Sequence, residues 1–169
     1  LPHRRGMEGV LSTLEWAPEL SLDMPVMDRT HREFVELLAA VEQAPDDQLF
    51  GAWDELIEHT DIHFAREDRW MQDTGFSMPN CHSAQHAMVM KVMNEGAQLK
   101  RMDIIRTMAR ELAMWFPEHA RNMDAALADH LKSVGYDVSS GSVAQPQALP
   151  QTAISGCGSA ACTPAAETL

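Results

Sequence analysis

Two pairs of residues four apart, His63 with Glu67 and His82 with His86, constrain this chain more than any other feature. Four residues are about one turn of an α-helix, so each pair projects from one helix face. Three more ligand-type residues, His31, His119 and Asp124, lie in stretches of the same helical character. Imidazole mixed with carboxylate suits first-row metals such as iron. Burying two carboxylates among imidazoles without a cation is costly, which argues against a purely structural role for the set.

The apolar pattern supplies the helices. Phe34, Val35 and Leu38 follow His31 at offsets of three, four and seven, the spacing of one helical face. Pro45-Asp46-Asp47 breaks that pattern and offers N-cap oxygens for a second helix reaching about Asp73. Thr74 to Asn80 reads as a loop stopped by Gly75 and Pro79, with Asn80 capping a third helix. That helix carries His82, His86, Val89 and Met93 on one side and fades near Gly96. Asp103 caps a fourth helix running to about Ser133, with Gly135 just beyond. Short connections predict an all-α, up-down-up-down four-helix bundle, and bundle cores hold metal sites built from facing helices.

The 169 residues suffice for one domain with a sizeable core. Residues 1–13 read as an N-terminal extension, 14–135 as the helical domain and 136–169 as a low-complexity tail. Leu1 to Gly6 are out of keeping with the rest of the chain, which makes Met7 a candidate natural start. Val138 to Leu169 is rich in Ser, Gly, Ala, Pro and Gln, with a single charge at Glu167, and is expected to stay disordered. A net charge of -12 argues against nucleic acid and anionic membrane as partners. The three cysteines, Cys81, Cys157 and Cys162, do not make a disulfide framework, and a reduced cytoplasmic protein is the expectation. Twelve methionines are many, but adaptable core filling accounts for them.

Zinc peptidases need His-Glu-x-x-His, and structural zinc sites favour paired thiolates; neither pattern occurs. None of the eight histidines has Glu three residues before it, which disfavours a carboxylate-rich di-iron oxidase site. Seven protein ligands exceed ordinary six-fold coordination and suggest two ions. His119 and Asp124 are five apart, so helical spacing alone does not pair them. His59, one turn before His63, is expected to be exposed or to sit behind the ligands. His3 and His130 have no evident partner.

The run His63-Phe64-Ala65-Arg66-Glu67, the His82/His86 pair, Trp115-x-x-x-His119-x-x-x-x-Asp124, and Trp16 with Asp28-Arg29-Thr30-His31 resemble hemerythrins of the single-domain bacterial type. The resemblance spans about Leu14 to Leu131. It implies that His82, His86 and His119 hold one iron and His31 and His63 the other. Glu67 and Asp124 would bridge the two, beside an oxo or hydroxo bridge, leaving an open position on the second iron for dioxygen. Phe64, Trp115 and Phe116 match positions that line an apolar oxygen pocket. Where family members usually carry a bulky aliphatic residue after the last histidine, this chain has Ala120, which implies a wider pocket and faster autoxidation. The implied function is reversible dioxygen binding for storage, delivery or sensing, and not catalysis. Alternatives at the same centre are peroxide, nitric oxide or ferrous-iron chemistry, or iron donation for metallocentre repair, with an unidentified protein partner.

Overall fold

A computed structural model describes residues 14–156. The N-terminal segment with His3 and Met7, and the terminal residues with Cys157 and Cys162, lie outside the described residues. Helix α1 spans Pro25–Gln43, α2 Asp46–Asp73, α3 Cys81–Leu99, α4 Met102–His119 and α5 Ala125–Val134. A π-helical turn, Ala120–Asp124, joins α4 to α5 with right-handed helical backbone at both junctions, so these form one continuous fourth rod. The rods pack α1 on α2, α2 on α3, α3 on α4 and α4 on α1, which is the expected four-helix bundle. Among the described residues no helix is long and apolar enough to cross a membrane.

The buried residues of each helix follow a repeating four-three spacing. In α1 these are Met27, His31, Phe34, Leu38 and Val41. In α2 they are Leu49, Trp53, Leu56, Thr60, His63, Glu67 and Trp70. In α3 they are His82, His86, Val89, Met93 and Gly96, and in α4 Ile105, Ala109, Leu112, Phe116 and His119. This is the seam of helices that pack side by side at a shallow angle. The same register positions are apolar at the ends of the bundle and polar in its middle. One apolar cluster, around Phe34, Leu38, Trp53, Leu56, Ile105 and Phe116, fills one end. A second, of Met27, Trp70, Met71, Leu127, Ala128 and Leu131, fills the other. Truncating such a buried side chain to alanine costs roughly 2–5 kcal/mol. That is a large share of a domain's total of about 5–15 kcal/mol. The two clusters therefore hold the bundle, and the polar layer between them is left for other work.

Several helix ends differ from the sequence reading. Asp46 does not cap α2; its Oδ1 accepts from Arg106 at 2.8 Å, and the same guanidinium donates to Ala44 O at 2.9 Å, closing the C-terminus of α1. Asp103 pairs with Arg101 and does not cap α4. Helix α3 continues past Gly96 because that glycine is a contact and not a stop. A Cβ there would lie 2.6 Å from Met108 Sδ and 3.8 Å from Trp53 Nε1. Asn80 does cap α3: its Oδ1 accepts from Ser83 N–H at 2.9 Å, and Ser83 Oγ accepts from Asn80 N–H at 2.8 Å.

Residues 138–156 depart from the expected disorder. Ile154 donates to Gly75 O and accepts from Ser77 N–H, both at 2.9 Å, while Ser155 O accepts from Cys81 N–H at 3.3 Å. Tyr136 OH donates to Asp73 Oδ2 at 2.6 Å at the start of this return. The segment carries little apolar surface of its own beyond Val138, which packs on the second core cluster, and main-chain hydrogen bonds to the α2–α3 loop place the rest. Its pairing is limited to isolated bridges, Phe76 with Ile154 and Tyr136 with Val143. Gly75 makes the approach possible: its φ is +98°, and a Cβ would lie 2.5 Å from Pro150 Cγ. Gly75→Ala is expected to destabilise the fold by about 1–2 kcal/mol through the left-handed backbone and the clash together, read as a lower urea midpoint in equilibrium unfolding.

Candidate metal centre

The polar layer contains all seven residues, six of them legible by type and spacing and Asp124 by resemblance. Helix α1 supplies His31, α2 His63 and Glu67, and α3 His82 and His86; the fourth rod supplies His119 and Asp124. None is more than 3 % exposed. The spacing of His119 and Asp124 has a structural answer. In an α-helix a step of five residues turns a side chain about 140° away from its starting face. Here the rod widens to i→i+5 bonding, and Ala125 N–H donates to Ala120 O. Pro117, inside α4, lacks the N–H that would continue the ordinary ladder just before this turn. The π turn absorbs the extra residue. Asp124 then faces inward with His119, and Leu127, Leu131 and Val134 remain in the core.

Each carboxylate is shared between two groups of histidines. Asp124 Oδ1 lies 3.0 Å from His82 Nε2 and 3.2 Å from His119 Nε2, while its Oδ2 lies 3.1 Å from His31 Nε2. Glu67 Oε1 lies 3.5 Å from His82 Nε2 and 3.7 Å from His86 Nε2. Its Oε2 faces His63 Nε2 and lies 3.9 Å from His31 Nε2. The five Nε2 atoms and four carboxylate oxygens are buried without hydrogen-bond partners among the described residues. Nine orphaned donor atoms converging on one interior would be costly if nothing joined them. Imidazole nitrogens and bridging carboxylate oxygens are a ligand set for first-row metal ions, so the residues present fit such a centre.

The electrostatics agree. Burial opposes protonation of His82, but Asp124 and Glu67 outweigh it and raise its pKa to about 10. His31 is likewise raised by Asp124 and Glu67 against the cost of burial. Burial and the charge of Asp124 push Glu67 upward, yet the surrounding histidines, His63 first, hold it below the usual carboxylate range. Asp124 is held well below that range by His119, His31 and His82, again against burial. The interior thus demands positive charge, from protons or from metal ions.

Other expectations sort clearly. His59 is not in the cluster: its Nε2 lies 3.0 Å from Glu33 Oε2, and burial lowers its pKa. His130 has a partner, donating from Nε2 to Thr74 O at 2.8 Å. Phe116 meets His31 edge-on at 5.2 Å. Phe64 stacks on His86 at 4.0 Å, and Trp115 stacks on His119 at 4.4 Å, so these two rings lie mainly against the three-histidine group. Ala120 is buried in the π turn beside His119. Sequence reasoning missed Asp68 and Gln85, whose oxygens lie behind His86 and His119 at 2.7 and 3.1 Å. The only local signal was adjacency, Asp68 to Glu67 and Gln85 to His86, which does not distinguish them from solvent-facing residues.

The hemerythrin HHE cation binding domain model matches residues 23–131. The chain belongs to the hemerythrin family. A bacteriohemerythrin from Ralstonia nicotianae is 31% identical over 130 residues, covering 75% of this chain and 95% of that protein. A bacteriohemerythrin from Stenotrophomonas maltophilia is 28% identical over 73% of this chain and 84% of its own length. One from Pseudomonas paraeruginosa is 25% identical over 72% and 84%. No solved structure gives a significant match. The hemerythrin match ends before the returning segment at residues 138–156, so that segment is an addition to the matched region.

Linkage gives a sign for stability in metal-free protein. His82 is raised from 6.5 to about 10, so its contribution is full below pH 6.5 and is lost as pH rises through about 10. Glu67 is lowered from 4.5, so its contribution is present above pH 4.5 and is lost as pH falls. Chelator-treated protein is expected to be most stable between these limits, and metal loading, which displaces the protons, should extend stability to higher pH. Urea midpoints measured across pH with and without metal check this.

Proposed function

We propose that the protein binds dioxygen reversibly at a non-haem di-iron centre, for storage, delivery or sensing. The supporting observation is the sharing of Glu67 and Asp124, each turning one oxygen to each histidine group. His82, His86 and His119 with one oxygen of each carboxylate would hold one ion, five protein donors in all. His31 and His63 with the other two oxygens would hold the second, with four. A solvent-derived oxo or hydroxo group would complete the ligand set, and the half with two histidines would be left with fewer protein donors than the other. Two ferrous ions would supply an open coordination position and the electrons that dioxygen takes up on binding.

The chain's own contribution is to keep that position dry and poor in protons. Phe116, 2 % exposed, stands edge-on to His31 and stacks on Phe34 at 4.7 Å. These rings exclude water from the two-histidine side. Five neutral imidazoles also leave the centre less anionic than a carboxylate-rich site, which disfavours high-valent iron and hence oxidation of substrates.

The test is spectroscopic. Protein carrying two irons is reduced without air and then exposed to it. A charge-transfer band that appears with oxygen and disappears on its removal is the expected outcome. Immediate oxidation with release of hydrogen peroxide would overturn the carrier reading in favour of an enzyme. One metal per chain would overturn the di-iron assignment.

Ala120 supplies a second test. Ala120→Ile is expected to slow autoxidation by adding bulk to the apolar core that Ala120 shares with Phe34 and Phe116, at a packing cost of about 1–3 kcal/mol. Autoxidation followed by absorbance, with the unfolding midpoint measured alongside, checks both.

A further inference from the structure

We infer that Asp68 and Gln85 are positioning residues that make the His82, His86 and His119 half the tighter of the two metal-binding halves, so that the centre fills in a fixed order. The inference rests on the two-metal reading above and adds an asymmetry between its halves. Asp68 Oδ1 lies 2.7 Å from His86 Nδ1, reaching across from α2 to α3. Gln85 Oε1 lies 3.1 Å from His119 Nδ1, reaching from α3 to the fourth rod. Both oxygens only accept, so each Nδ1 must carry the proton. That leaves the Nε2 lone pair of both rings aimed at the carboxylates, in the tautomer a metal needs.

The same two rings are also held on their faces. Phe64 stacks on His86 with an interplanar angle of 8°, and Trp115 on His119 with one of 26°. His31 and His63 differ: their Nδ1 atoms are buried with no hydrogen-bond partner among the described residues. Phe116 touches His31 by its edge, and Phe64 is tilted 48° to His63. Among the described residues no acceptor fixes the tautomer or rotation of either ring. The halves therefore differ twice over, in donor number and in how far the donors are set before a metal arrives. Preset donors lose less freedom on binding. The first ion enters the three-histidine half, and the second, more loosely held, enters between His31 and His63.

Anaerobic titration of the metal-free full chain with Co(II), followed by its visible d–d absorption and by calorimetry, tests the order. Wild type should bind two ions in separate steps. Asp68→Ala should weaken the tighter step by about 10–100-fold, the usual effect of losing a hydrogen bond behind a ligand. Asp68→Asn, which keeps an oxygen acceptor, should recover most of that loss, and Gln85→Leu should weaken the same step. The looser step should stay near its wild-type affinity throughout. Circular dichroism and the unfolding midpoint of the metal-free variants separate lost positioning from a lost fold. If Asp68→Ala fails to fold, Gln85→Leu and Asp68→Asn carry the test. Folded variants that bind both ions as wild type does, or that lose affinity only in the looser step, would overturn the inference. A wild type that takes up a single ion would instead sink the two-metal reading, and this inference with it.

Discussion

Two carboxylates, Glu67 and Asp124, share one fully buried layer among five imidazoles, and the rest of the structure answers to that arrangement. Like charges at close range in a dry interior repel strongly, and each loses the hydration that would have offset its charge. Each carboxylate therefore needs positive charge on two sides. The helices supply it by setting histidines at the same register positions that elsewhere hold Phe34, Leu38, Trp53 or Leu56. Placing apolar clusters at both ends keeps water out of the layer and lets burial stabilise the bundle without help from the polar groups. The separation of tasks is physical: non-directional burial holds the helices together, and directional donors in the middle hold a ligand.

Much of this was legible in the sequence because helical spacing is a geometric rule. His63 with Glu67 and His82 with His86 declare a shared face, and the apolar residues around them declare the bundle. Asp124 was legible only through resemblance, since an offset of five leads away from the ligand face in a regular helix. The π turn that restores it shifts the hydrogen-bond ladder by one residue. Gly96 misled for a related reason: its lack of a side chain serves the approach of Met108 and Trp53, which no local pattern records. Asp68 and Gln85 belong to the same class, as contacts between helices that sequence separation hides.

The segment at 138–156 shows a different limit. Its composition gives it too little apolar surface to be expected to fold alone. It orders by offering main-chain groups to a neighbour that has unpaired ones, the α2–α3 loop and the first turn of α3. The helix N-terminus leaves amide groups without partners inside the helix, and Ser155 O takes one of them, from Cys81. His82 comes immediately after. The first histidine of α3 is therefore set by a cap that comes partly from more than seventy residues further along the chain.

The π turn between His119 and Asp124 has a consequence for how the fourth rod behaves as a mechanical part. A regular helix offers a competing pitch for these five residues, and adopting it would rotate everything C-terminal to the turn about the rod's axis. Leu127, Ala128 and Leu131 sit in the far apolar cluster and resist that rotation. Asp124 thus keeps its heading through the grip of apolar side chains one to two turns beyond it as well as through its contacts with His31, His82 and His119. The far cluster works as a torsional brake on the carboxylate, and a loosened core there would first be felt as a misaimed oxygen in the polar layer.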